Sequence, residues 1–303
     1  MRTVIEDVYI VKPYDPNVTG CCVYMIDTKS DDGLVLIDVG LDIEYIRVIE
    51  EDGFELKDIK HCLITHGHID HYGAGEKLKE FNKDIQFYAH ELDAVDNELK
   101  IRDTNISDIY SDYKYEPVKV SKKITTDNEI LKFGHLEFKC IHIPGHTPGS
   151  VAYLLETGGK KILFGGDLPG IVLNVRGGNL DAYIKSMEKL TELQIDISCE
   201  GHENLIQPAE KVVKFLKGYI VFNENLNQIA LKDPSDKAAL SKLASITYEL
   251  EFYENTLDFC NYLLEIDPDN KDAQQLLAKA QEHDPPKFDW IKNLIIQNAE
   301  YRG

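Results

Sequence analysis

The sequence predicts an α/β domain over residues 1–207, followed by an all-helical region over residues 208–303. Three observations carry that prediction. Short apolar runs bounded by Gly, Asp and Pro recur as far as about residue 202 and read as strands. Stretches with apolar residues at helical spacing fall between them, so strands and helices alternate. Beyond Pro208 the strand-like runs stop and helical periodicity continues.

In chain order, "CCVYMIDT" and "GLVLIDVG" flank the turn "KSDDG" and predict a β-hairpin. "LDIEYIRVIEEDGF" predicts a helix capped by Gly53. "IKHCLIT" is a strand, "GAGEKLKEFN" opens a helix, and "DIQFYAH" is the next strand. "GHLEFKCIHIPG" forms one hairpin arm, and "SVAYLLET" with "KKILFGGD" a further strand pair. "NLDAYIKSMEKLTEL" is an amphipathic helix and "IDISCEGH" the last strand of the domain. The polar stretch starting at Lys100 reads either as a solvated connection or as a lid, with Tyr110, Tyr113 and Tyr115 as lid candidates. In the helical region "DPSDKAALSKLA" and "DPDNKDAQQLLA" align at a period of 34 and match at six of twelve positions. That period resembles the tetratricopeptide repeat, although the aromatic and glycine signatures of the repeat are missing. One such unit cannot bury its own apolar face, so it is expected to cover the main domain, form a homodimer or dock a protein partner.

Composition narrows the functional classes. Of 303 residues 43% are hydrophobic and 28% charged, which is ordinary for a globular protein. No apolar run approaches the roughly 18 residues of a membrane span. Glu6 and Asp7 interrupt the place where a signal peptide needs an unbroken apolar stretch, so the expected compartment is the cytosol. The net charge of −20 disfavours nucleic acid as a partner, because phosphate backbones need a basic footprint. The six cysteines (21, 22, 62, 140, 199 and 260) show no framework spacing and read as reduced, buried thiols. Cys62, Cys140 and Cys199 each precede a candidate ligand, which leaves a role in the site open.

The chemistry concentrates in "LITHGHIDHYGAG" (63–75), where three histidines and an aspartate follow an apolar strand. Gly67 permits a tight turn, so His66 and His68 can point the same way while Asp70 and His71 face a second point nearby. Imidazole and carboxylate together suit zinc, and iron or manganese less selectively. The partners lie downstream: His146 in "IPGHTPGS", Asp167 in "LFGGDLPG" and His202 in "SCEGHEN". Each follows an apolar strand and a glycine, as a site built along one sheet edge requires. No GxSxG, no cysteine–histidine pair and no phosphate-cradling glycine loop offers a competing nucleophile.

At these residues the chain resembles the metallo-β-lactamase superfamily. The ordered signature is complete as Asp38, the 66–71 cluster, His146, Asp167 and His202. The resemblance covers residues 1–205 and implies an αββα sandwich with a site at one edge. It also implies that His66, His68 and His146 hold one divalent ion and that Asp70, His71 and His202 hold a second. Asp167 would bridge the two, and Asp38 would orient ligands without binding metal. Two such ions lower the pKa of a shared water, and Asp70 would serve as both ligand and proton acceptor.

Within the superfamily, "THGHIDHYGAG" and "IPGHTPGS" look most like the hydroxyacylglutathione hydrolases (glyoxalase II) and acyl-homoserine lactonases. The implied function is a dinuclear metal-dependent hydrolase of small esters, lactones or thioesters, with zinc the default and β-lactams a side activity at most. Two alternatives stay open: an iron-dependent oxidoreductase resembling the persulfide dioxygenases, and a nuclease of the same superfamily. Arg176 and Tyr72 are candidates for substrate contact. For Arg176 the competing reading is a surface arginine in a glycine loop, and for Tyr72 packing on the adjacent helix.

Overall fold

Strands β1 (Arg2–Ile5), β2 (Val8–Lys12), β3 (Val23–Asp27), β4 (Leu34–Ile37), β5 (Ile59–Leu63) and β6 (Gln86–His90) lie side by side in chain order. The first four pair antiparallel, and β4, β5 and β6 run parallel. Parallel neighbours need crossovers, which are supplied by α1 (Ile43–Ile46) and then by α2 (Ile69–Tyr72) and α3 (Gly75–Leu78). A short ladder joins β7 (Glu98–Leu99) to β8 (Val118–Lys119), and β9 (Lys122–Ile124) completes the seven-stranded sheet beside β6. The computed structural model describes residues 1–13, 20–99, 116–203, 205–285 and 290–301, the side chains of Arg176 and Glu300 excepted.

The second sheet has five strands in the order β10 (Glu129–Phe133), β11 (Leu136–His142), β12 (Val151–Thr157), β13 (Lys160–Gly166) and β14 (Ile197–Glu200). Its hairpins are antiparallel, and β14 lies parallel to β13 after the crossover helix α4 (Leu180–Thr191). Asn179 caps that helix by accepting from the Ala182 amide.

Two-residue alternation explains the layers. On β3 and β4, Tyr24, Ile26, Val35 and Ile37 face Phe138, Tyr153 and Phe164 of the second sheet in one core. Val23, Met25, Leu34 and Leu36 face the opposite way, onto Ile43, Ile46, Ile69 and Leu78 of the helix layer. Buried Tyr183, Met187 and Leu190 of α4 belong to the outer helix layer of the second sheet. The architecture is the αββα sandwich that the resemblance implied.

Two helices are shorter than the sequence predicts. The stretch after Asp42 makes one α-turn and then a 3-10 segment, Arg47–Asp52, before Gly53 closes it at φ 86°. Glu50, Glu51 and Asp52 put negative charge at the negative end of the helix dipole, where an α-helix is least tolerant of it. The helix opened by "GAGEKLKEFN" is a single turn, Gly75–Leu78.

The chain divides into two compact units, residues 1–170 with 176–212, and residues 171–175 with 213–303. The second unit is helical, with most of α5 (Ala209–Leu231), then α6 (Lys237–Glu249), α7 (Tyr253–Ile266), α8 (Lys271–Gln281) and α9 (Trp290–Gln297). Asn223 Oδ1 accepts from the Val172 amide at 2.8 Å and Asn227 Nδ2 donates to the Val172 carbonyl at 2.7 Å, which ties residues 171–175 into this unit. Helices α6 and α8 begin 34 residues apart, at Lys237 and Lys271, each capped by the preceding Asp236 or Asn270. Among the described residues no helix is long and apolar enough to cross a membrane.

Candidate metal centre

Every candidate ligand stands where a strand ends. β5 runs into the 66–71 turn and α2, the β11–β12 turn carries His146, and Asp167 and His202 follow β13 and β14. Backbone bonds hold these ends together. The Thr65 carbonyl accepts from the Val151 amide at 2.8 Å, and the Gly166 carbonyl accepts from the Gly201 amide at 2.7 Å. Tyr153, buried between the sheets, donates its hydroxyl to the Ile64 carbonyl at 2.8 Å.

The seven predicted residues converge as two groups. His68 Nδ1 lies 3.0 Å from His66 Nε2 and 3.0 Å from His146 Nε2. Asp167 Oδ2 faces the same point, 3.3 Å from His146 Nε2 and 3.7 Å from His66 Nε2. In the second group His202 Nε2 is 3.1 Å from Asp70 Oδ2, and His71 Nε2 is 3.7 Å from the same oxygen. Asp167 Oδ1 faces this group, 3.1 Å from His71 Nε2 and 3.3 Å from His202 Nε2. One carboxylate therefore presents one oxygen to each group. Gly201 lets this happen, because an added Cβ would stand 2.7 Å from Asp167 Oδ1 and 2.9 Å from His71 Cε1.

The spacing fits divalent ions. Four ligand atoms around a tetrahedral zinc, at bonds of about 2.0 Å, stand roughly 3.3 Å from one another. The observed separations scatter around that value. Asp167 Oδ1 and His71 Nε2 are also buried without a hydrogen-bond partner among the described residues. Buried polar atoms are rarely left so, and a cation near both would supply the missing interaction.

The two groups differ in how they hold protons. Burial, reinforced by the charge of His71, keeps His66 well below the usual histidine value. Burial and then His146 bring His68 down to about 3. Both rings therefore stand uncharged at neutral pH. Burial alone would lower His71, but Cys21, Asp167, Asp38 and Asp70 outweigh it and raise His71 well above its ordinary value. His202 is raised against its own burial by Asp167 and Asp70. Burial would raise Asp70, yet His71 and His202 prevail and leave it at about 2. Asp167 is likewise lowered, with His202, His71 and His66 overcoming burial.

Asp38 lies behind both groups. Its Oδ2 accepts from His71 Nδ1 at 2.8 Å and from the Thr65 hydroxyl at 2.8 Å, while Oδ1 accepts from the Thr65 amide at 2.8 Å. With its hydroxyl hydrogen given to Asp38, Thr65 Oγ1 accepts from His66 Nδ1 at 3.1 Å. Both rings are thus held with Nε2 facing inward. Asp38 sits at φ 55°, a left-handed conformation that aspartate tolerates better than most residues.

Other candidates fall elsewhere. Cys62 is buried in the helix-side core of the first sheet, and Cys140 and Cys199 in the core between the sheets, so none reaches the site. The thiol that does is Cys21, grouped with Asp38 and His71 and pushed by burial to about 11. Tyr72 is fully buried among the helix-side apolar residues, because the turn of α2 that aims His71 at the site sends the next side chain into the core. Its surroundings are those of the packing reading, not of a substrate contact. Arg176 belongs to a 3-10 turn, Asn174–Arg176, and its side chain lies outside the described residues, as do Tyr110, Tyr113 and Tyr115. The sequence reading passed over Thr65, Cys21 and a buried aspartate, Asp93. Of these only Thr65 carried a signal, its place at the strand end before the first histidine.

The sequence profile of the metallo-beta-lactamase superfamily matches residues 16–202. The chain belongs to that superfamily. It is a superfamily hydrolase whose histidine and aspartate clusters are suited to divalent metal. An uncharacterised protein of Aquifex aeolicus is 35% identical over 191 residues, covering 61% of this chain and 84% of its own length. The hydroxyacylglutathione hydrolase GloC of Haemophilus influenzae is 30% identical over 152 residues, covering 49% of this chain and 65% of its own. Among solved structures, the subclass B3 metallo-beta-lactamase BJP-1 of Bradyrhizobium japonicum superposes with a TM-score of 0.56 at 21% identity, covering 72% of this chain and 89% of that one. This last likeness is one of fold.

Proposed function

We propose that the protein is a dinuclear metal-dependent hydrolase of small thioesters, lactones or esters, with two zinc ions its resident metals. The observation that carries this reading is the divided carboxylate of Asp167, Oδ2 toward the three histidines and Oδ1 toward His71 and His202. His66, His68 and His146 would hold one ion and Asp70, His71 and His202 the other, with Asp167 offering an oxygen to each. When bound, such a pair acidifies a shared water toward ~7 and polarises a carbonyl oxygen.

The chain's own residues do the rest. Asp38 and Thr65 keep the rings of His66 and His71 aimed, so no reorganisation is needed on ligand binding. Asp70, ionised at neutral pH, would be the residue to accept a proton from a shared water. Similarity to a hydroxyacylglutathione hydrolase supports the thioester member of the substrate class first. The helical region, read as tetratricopeptide-like, serves self-association. Ile296, 70% exposed on α9, is the most exposed large apolar side chain among the region's described residues, and Ile296→Glu should convert an oligomer to monomer in light scattering. A wild-type chain that is already monomeric at every concentration contradicts that part.

Elemental analysis beside a panel of thioester, lactone, ester, phosphodiester and β-lactam substrates tests the catalytic proposal. Two ions per chain with thioester or lactone turnover is the expected result. One iron with persulfide-dependent oxygen uptake overturns it.

A further inference from the structure

One buried carboxylate outside the seven ligands touches both of the turns that supply the three-histidine group. Asp93 lies three residues beyond the end of β6, at 3% exposure, with its own amide bonded to the His90 carbonyl at 3.0 Å. Its Oδ2 accepts from the Gly67 amide at 2.8 Å and from the Thr147 hydroxyl at 2.7 Å. Its Oδ1 accepts from the Gly149 amide at 2.9 Å. Gly67 separates His66 from His68, and Thr147 directly follows His146. The first turn continues a strand of the seven-stranded sheet, whereas the second joins two strands of the five-stranded sheet.

Asp93 is thus a side-chain tie between sheets at the place where His68 Nδ1 and His146 Nε2 stand 3.0 Å apart. The sequence makes room for it. A Cβ on Gly149 would come 2.6 Å from Asp93 Cγ, and one on Gly67 would come 3.2 Å from Asp93 Cβ. Ser150 supports the far turn, its Oγ accepting from the Thr147 amide at 3.1 Å and pairing with Thr147 Oγ1 at 2.8 Å. All three donors to Asp93 are satisfied only by a group with two acceptor oxygens in a fixed fork.

We infer that Asp93 is a positioning residue that sets the geometry of the three-histidine group and thereby its affinity for its own divalent ion, with little effect on the other ion. This rests on the dinuclear reading above. Asp93→Asn keeps the volume but turns one acceptor into a donor that faces existing donors. Thr147→Val removes one of the three bonds and leaves the others.

The test titrates metal-stripped wild-type protein and both variants with zinc against a chromophoric chelator, and records cobalt(II) absorption for each. Wild-type protein should bind two ions. Asp93→Asn should weaken one of them about 10–100-fold and alter the cobalt spectrum, with the second affinity retained. Thr147→Val should shift the same ion in the same direction by a smaller factor, and it decides the matter if Asp93→Asn does not fold. Two ions bound as tightly in both variants as in wild type, or both ions weakened equally, overturns the inference. A wild-type chain that takes up a single ion overturns the dinuclear reading itself, and the inference with it.

Discussion

The two ligand groups are built from the same residue types within a few ångströms of each other, yet they hold protons in opposite ways. His66 and His68 are driven neutral by burial, whereas His71 is held toward its charged form by Cys21 and the surrounding carboxylates, and His202 by carboxylates. The difference comes from neighbours and not from the ligands. The three-histidine group has one carboxylate oxygen of Asp167 close by, with Asp70 acting on His68 from the other group, whereas the second group has Asp70, Asp167 and, behind His71, Asp38 in contact. A metal entering the first group would meet uncharged rings, and one entering the second would compete with protons.

Removing the residue common to both groups should have the largest effect. Asp167→Asn is expected to lower hydrolysis by about a thousandfold or more, because a metal pair contributes several kcal/mol to the barrier. Steady-state kinetics with matched metal analysis measures it. Asp38→Ala should act mainly on the second group, lowering metal affinity or activity by about 10–100-fold through a misaimed His71, with a smaller effect on His66 through Thr65. Equal loss from both groups would mean that Thr65 transmits the effect to His66 as strongly as the direct bond does to His71.

The comparison also has a pH signature in the metal-free chain. His66 and His68 bind fewer protons folded than unfolded, so their contribution falls as pH drops below about 6.5. The lowered His61 and His90 act in the same sense. His71 and His202 have raised values, so their stabilisation is complete below about 6.5 and is lost as pH rises through their folded values. Glu200, raised to about 8 by burial, loses stability as pH climbs from its ordinary value of 4.5 toward 8. Below pH 4 the lowered Asp70 and Asp167 accelerate the loss. Denaturant melts of metal-stripped protein should therefore show maximal stability near the ordinary histidine value of 6.5, moving to higher pH when zinc is added. A flat profile would remove the proposed asymmetry.

The smallest expected effect concerns the scaffold shared by both groups. Tyr153→Phe leaves the Ile64 carbonyl without its donor at a fully buried position, at a cost of about 1–3 kcal/mol in unfolding experiments. Metal binding should change little.

How much of this was legible in the sequence follows from how local each determinant is. The 66–71 cluster is readable because four ligands fall within one turn, and His146, Asp167 and His202 because each follows a strand and a glycine. Asp93 is silent in the sequence, since its meaning lies in contacts 26 and 56 residues away. Cys21 was passed over for the same reason. It follows a stretch without periodicity, whereas Cys62, Cys140 and Cys199 drew attention by adjacency yet alternate into the cores. The first-sheet strands β1 and β2 escaped notice because Glu6 and Asp7 interrupt their pattern at the turn between them. The long helix expected after Asp42 failed because its acidic end opposes the helix dipole.

The most direct test of the central claim is a crystal structure of zinc-loaded protein with anomalous data collected at the zinc edge. The account predicts two peaks, one against Asp167 Oδ2 among His66, His68 and His146, the other against Oδ1 among Asp70, His71 and His202. A single peak, or a peak at Cys21, Asp38 and His71 instead of the second, would contradict it.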